Sequence, residues 1–152
     1  MMRTMLDLMI LAAILAVPVS AQDHETEARA ALEEYFRAWN AADNVSIVKI
    51  SNFPRVSLGG NGQVVVRDGH EEIEIDFELL RQAEGWDHTT LDLVEATQVS
   101  EDKVHFRIVS SRRRADGSPY RTVPALYVLT KQNGHWGLQL QSILPATFVE
   151  SR

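Results

Sequence analysis

Three apolar runs in the second half of the chain, residues 104–109, 123–129 and 136–144, are separated by Ala115-Asp116-Gly117-Ser118-Pro119 and by Gln132-Asn133-Gly134. Asp-Gly and Asn-Gly tolerate the positive φ angles that tight hairpin turns require, so the runs read as a three-stranded antiparallel meander. Such a sheet has an apolar face that must be covered. The only sizeable amphipathic helices lie upstream, which predicts an α+β domain with helices packed on a bent sheet.

The upstream chain supplies that cover. Residues 25–42 read as a helix with Asp23 as N-cap: Ala28, Leu32, Tyr35, Phe36 and Trp39 recur at three- and four-residue steps, with Glu27, Arg29, Glu33, Glu34 and Arg37 on the other faces. A short helical piece over 45–50 follows and stops before Pro54, since the residue preceding proline is pushed away from helical angles. Residues 55–58 and 63–67 flank Gly59-Gly60-Asn61-Gly62 as a first hairpin. This is not a phosphate loop, because it lacks the Lys-Ser/Thr pair and leads into a strand. Asp68 with Glu71 three residues later reads as the start of a third helix, with Ile73, Phe77 and Leu80 inward and Gly85 as the stop. A strand over 90–99 then leads into the meander.

The first 21 residues have a different character. Arg3, an apolar run from Leu8 to Val17, Pro18 and then Val19-Ser20-Ala21 before Gln22 fit a secretory leader cleaved after Ala21. The run is well short of the roughly 20 apolar residues of a spanning helix. Residues 22–152 are then expected to form one domain, secreted or periplasmic, with no membrane association after cleavage. The absence of cysteine is compatible with export. A formal net charge of −6 argues against nucleic acid and anionic membrane surfaces as partners. Arg112-Arg113-Arg114 beside a turn reads as a solvated loop or as a small anion patch.

Tyr35-Phe36-x-x-Trp39-Asn40-x-x-Asp43 on the first helix, with Asn133-Gly134-x-Trp136-Gly137-Leu138 on the last strand, resembles the NTF2-like superfamily, which includes SnoaL-like and ketosteroid-isomerase-like proteins. The segment Asn52-Phe53-Pro54-Arg55-Val56 is similar to an Asn-aromatic-Pro-His-Val segment in uncharacterised bacterial NTF2-like domains. The resemblance implies a cone: a strongly curved antiparallel sheet packed on three N-terminal helices around a pocket. It also implies a homodimer through the outer sheet face.

Within that frame the expected ligand-binding residues are Tyr35, Trp39, Arg55, Phe77, Tyr127, Trp136, Leu138 and Leu140. Period-two alternation on the last strand assigns Trp136, Leu138, Leu140 and Ser142 inward, and His135, Gln139 and Gln141 outward. The pocket is expected to bind a small apolar or acidic molecule, with Arg55 either holding an anion or sitting in a solvent salt bridge. An alternative reading is a SnoaL-like isomerase, cyclase or dehydratase using Tyr35 and His105 for proton transfer. It requires His105 and Arg107 to face the cavity; if Val104, Phe106 and Ile108 face the core, both lie outside. The resemblance to ketosteroid isomerase breaks where a base is needed, since Phe53 cannot take a proton and Arg55 stays cationic. Glu74 and Glu78, with His70 a turn before, read as a solvated helix face, and no metal site or cofactor fingerprint is evident.

Overall fold

The computed structural model describes residues 20–69 and 74–148. Residues 1–19 of the expected leader, and His70, Glu71 and Ile73 of the expected third helix, lie outside the described residues. Among the described residues no helix is long and apolar enough to cross a membrane.

Helix α1 (Ala21–Asn40) begins four residues before the expected start. Ser20, not Asp23, is the N-cap: the Ser20 hydroxyl accepts from Asp23 N (3.3 Å) and Asp23 Oδ2 accepts from Ser20 N (2.9 Å), a reciprocal capping box. Helix α2 (Asn44–Lys49) is capped by Asp43, whose carboxylate accepts from Ser46 N and Oγ. Strand β1 (Ser51–Leu58) starts earlier than expected and runs through Pro54, then pairs antiparallel with β2 (Val64–Arg67). Helix α3 (Phe77–Glu84) is shorter than the apolar spacing suggests: Asp76 is its N-cap and residues 74–76 are not helical. Gly85 ends it in the left-handed region, φ 70°, as expected.

The rest is sheet: β3 (His88–Val99), β4 (Lys103–Arg113), β5 (Pro119–Gln132), β6 (His135–Ile143) and the short β7 (Thr147–Phe148). The strand order is β2-β1-β6-β5-β4-β3, with β1 and β6 parallel and β7 on β5. Strands β3 to β6 wrap α1, whose Ala28, Leu32 and Phe36 meet the fully buried Val104, Phe106, Ile108, Leu129 and Leu138.

One irregularity redirects the last strand. Val128 pairs with Leu140 but Leu129 pairs with Leu138, which leaves Gln139 as an extra residue, a β-bulge. Trp136 and Leu138 therefore face inward as alternation predicts, while beyond the bulge Gln141 and Ile143 face the interior. The expectation that Leu140 and Ser142 line the pocket and Gln141 lies outside is overturned by this single inserted residue.

Candidate functional site

The two halves of α1 meet different surroundings. Beside its N-terminal half the interior is filled: Trp136 Nε1 donates to Glu27 Oε2 (2.8 Å), which also accepts from Lys131 Nζ (2.9 Å), and Leu138 is fully buried. Trp136 and Leu138 are thus packed core and line neither of the hollows described next.

Beside the C-terminal half a cavity of about 290 Å³ opens between α1, β1, β2 and β6. Tyr35 and Trp39 form one wall, Arg55 and Ser57 another, Val65 and Arg67 a third, and Gln141 with Ile143 the base; Asn61 and Gln63 border it from the glycine-rich turn. An adjoining lobe of about 160 Å³ shares Tyr35, Trp39, Gln141 and Ile143 and adds Phe36, Val123 and Tyr127, with Thr89, Ser110 and Arg112 as its polar members. Tyr35, Trp39, Arg55 and Tyr127 are therefore brought together around the two lobes. Phe77 is not with them: its ring packs 5.2 Å from that of Trp39 and 5.5 Å from that of Trp86, so it supports the aromatic wall from behind. Leu140 lies on the outer face.

Arg55 is the unusual group. It is only 4% exposed, so the solvent salt bridge considered for it does not exist. Nη1 donates to Ser51 Oγ (2.9 Å), and Nη2 donates to Tyr35 Oη (3.0 Å) and to Gln141 Oε1 (3.1 Å). The guanidinium also sits 5.2 Å from the centre of the Tyr35 ring. All three acceptors are neutral, and among the described residues Arg55 has no ion pair. Its Nε is buried without a partner, as is Trp39 Nε1. A cation removed from water without a counter-charge is strongly disfavoured unless something offsets it. Among the residues lining the two lobes Glu74 is the sole carboxylate, and it belongs to the non-helical stretch before α3, so it shares no helix face with Glu78.

The other arginines contrast with Arg55. Arg112 and Arg113 lie in β4, not in a loop: Arg112 Nη1 donates to Glu84 Oε2 (2.7 Å), and Arg113 faces Asp92 (3.7 Å). Glu84 also accepts from Tyr120 Oη (3.0 Å) and Arg121 (3.4 Å). Partial burial pushes the Glu84 pKa up, but Arg112, Tyr120 and Arg121 together outweigh it and hold the carboxyl below the usual glutamate range. Burial, then the hydrogen bond to Glu84, pushes the Tyr120 phenol up to about 12. Tyr127, stacked on Phe36 at 5.9 Å, is raised further, above all by burial, and is a neutral phenol at any physiological pH.

His105 does not reach the cavity. Its neighbours Val104 and Phe106 are fully buried on the core side, so His105 and Arg107 are on the outer face, where Arg107 is held by Glu95. The structure separates Tyr35 from His105 by the thickness of the sheet. Gln141, expected outside, lies at the cavity, as do Ser57, Val65, Arg67 and Ile143, which the sequence did not single out. Only the pairing of β5 with β6 reveals Gln141.

The family described as NTF2-like protein (DUF6841) matches residues 25–141. The chain belongs to it. Solved structures agree on the fold of this NTF2-like chain. A protein of unknown function with a cystatin-like fold from Nostoc punctiforme superimposes with a TM-score of 0.65 at 16% identity, covering 84% of this chain and 94% of that one. An NTF2-like protein with a cystatin-like fold from Novosphingobium aromaticivorans gives 0.64 at 13% identity, covering 81% and 82%. A candidate dehydratase from the NTF2-like family of Streptomyces avermitilis gives 0.62 at 15% identity, covering 82% and 96%. No curated protein sequence matches the chain. At these identities the likeness of this NTF2-like domain to solved structures is one of fold.

Proposed function

We propose that this NTF2-like domain binds a small, largely apolar acid in the two-lobed cavity and serves as a binding protein. The carrying observation is Arg55, a buried cation held by three neutral oxygens at the wall of a cavity in which Tyr35, Trp39, Val65, Ile75 and Ile143 share the lining with polar side chains. Arg55, Arg67 and Arg112 outnumber Glu74 among the lining residues, so the site has a positive potential that an incoming anion offsets, and its apolar patches reward a hydrophobic body. The test is a panel of hydrophobic probes and carboxylic acids followed by thermal shift and calorimetry. Saturable binding confined to acids is expected, and lost in Arg55→Met. That variant keeps an unfolding temperature close to the parent's, because it removes an uncompensated buried charge as well as three hydrogen bonds. A panel without saturable binding sinks the proposal.

The wider setting of that role is export and self-association. The leader-like residues 1–21 support a secreted or periplasmic protein, which N-terminal sequencing of the protein from its native host tests. The outer sheet face supports a homodimer: Leu58, Val64, Val66 and Leu126 are exposed there beside Leu140. Sedimentation at micromolar concentration is expected to give a dimer that Leu126→Lys dissociates; a monomeric parent refutes it.

A further inference from the structure

The geometry points to a donor pair, Tyr35 and Gln141, that Arg55 positions for a carboxylate at the wall shared by the two lobes, with the inner lobe taking a flat ring: the ligand class is a small aryl carboxylate, a claim that rests on the acid-binding reading of the cavity. A guanidinium has donors only. With Nη2 at 3.0 Å from Tyr35 Oη and 3.1 Å from Gln141 Oε1, both oxygens must act as acceptors. The single hydroxyl hydrogen of Tyr35 and the amide hydrogens of Gln141 are thereby turned away from Arg55. Both side chains line both lobes, and among the described residues neither the Tyr35 hydroxyl nor Gln141 Nε2 donates to another protein group.

Arg55 itself is poorly placed to grip a ligand. Its Nη1 is engaged by Ser51 Oγ, whose hydroxyl in turn donates to Ile47 O (2.8 Å), and 4% exposure leaves little of it to meet anything else. It is a positioning residue that sets the direction of two donors and supplies the charge behind them. Two donors beside the same Arg55 nitrogen match the two oxygens of a carboxylate, whereas an alcohol or amide gains little from the charge.

The ring follows from size. An apolar cavity of about 150 Å³ is enough to hold benzene. The inner lobe, about 160 Å³, has that capacity, with Phe36, Val123, Tyr127 and Ile143 on its sides and Thr89, Ser110 and Arg112 as its polar members. A long aliphatic acid would have to extend into the larger lobe, where Ser57, Gln63 and Arg67 present polar groups to it.

The test is calorimetry with benzoate, benzyl alcohol and hexanoate on the parent, Tyr35→Phe, Gln141→Leu and Gln141→Glu, with thermal unfolding of each. Benzoate is expected to saturate, with benzyl alcohol and the first two variants weaker by about tenfold or more, as loss of a hydrogen bond to a charged group implies. Gln141→Glu pairs with Arg55, so it is expected to raise the unfolding temperature while abolishing benzoate binding; a merely structural Gln141 would move both together. Hexanoate binding without benzoate leaves the acid cavity standing and overturns the aryl claim. Benzoate bound equally by the parent, Tyr35→Phe and Gln141→Leu overturns the donor pair. No binding by any acid overturns both.

Discussion

Asn52 lies against Gly137 so closely that a β-carbon on the glycine would sit 2.8 Å from Asn52 Cγ and 3.0 Å from the Ile50 carbonyl oxygen. The Asn52 amide spans to β5, where Nδ2 donates to Thr130 O (2.7 Å) and Oγ1 (3.0 Å). Two of the three sequence segments that carry the NTF2-like resemblance, 52–56 and 133–138, therefore interlock. Gly137→Ala is expected to destabilise the fold by about 1–3 kcal/mol, the usual cost of overpacking, read by urea denaturation. In an Asn52→Ala background the same change is expected to cost less, because one of the two obstructing groups is gone. Equal costs in both backgrounds would show that the contact with Asn52 is not the cause.

The bulge at Gln139 gives a second prediction. Leu140 and Ile143 are both aliphatic residues of β6, yet they face opposite sides of the sheet. Ile143→Trp fills the cavity and is expected to abolish acid binding, while Leu140→Trp leaves binding unaltered. Competition with an environment-sensitive hydrophobic dye measures both. Strict alternation from Trp136 would produce the reverse result.

That pair also marks how far the chain could be read. Asp116-Gly117 and Asn133-Gly134 announce the hairpins because a tight turn is encoded where it occurs, and Gly117, Asn133 and Gly134 do adopt positive φ. Tyr35 and Trp39 were legible as inward-facing because a helix repeats its own period, but Ala28 and Leu32 share that period and are packed core, so the period alone does not mark a cavity. The bulge was not legible, since the extra residue exists only relative to β5. Arg55 illustrates the same limit: its sequence context allowed a solvent salt bridge, and only burial among Ser51, Tyr35 and Gln141 reveals an interior cation without an ion pair among the described residues. The expected third helix is interrupted at residues 74–76, and Asp76 caps α3, accepting from Leu79 N at 2.8 Å, a local hydrogen bond that the apolar spacing of Phe77 and Leu80 does not announce.

The Glu84 cluster ties the end of α3 to β4 and β5 and should make stability fall in acid. Partial burial opposes ionisation of Glu84, but Arg112 and the other partners prevail, so its folded pKa lies below the ordinary 4.5. The sign follows: its contribution is fully present above that ordinary value and is lost as pH falls through the lower folded one. Glu84→Gln is expected to unfold at lower temperature than the parent at neutral pH, with the gap closing at acid pH. Tyr120 acts on the alkaline side, where a phenol raised to about 12 contributes stability that is lost as pH climbs above the ordinary 10. A gap between parent and Glu84→Gln that is constant from neutral to acid pH would exclude the carboxylate as its source.

The N-terminus of α1 sets structure against processing. Ser20 closes the first turn, and its backbone N–H, followed by its hydroxyl, holds the Asp23 carboxyl below the usual aspartate range. Cleavage after Ala21, as proposed for export, would remove Ser20 and leave the backbone N–H groups of the first turn without their cap. A chain beginning at Gln22 is therefore expected to show faster amide exchange over the first turn of α1 than one beginning at Ser20. Leu32 and the residues after it should be equally protected in both, because burial against β4 and β5 holds that part of the helix whatever its cap. The cavity begins at Tyr35, beyond the frayed turn, so both chains should bind acids alike. Loss of binding in the shorter chain would show that the cap reaches the cavity.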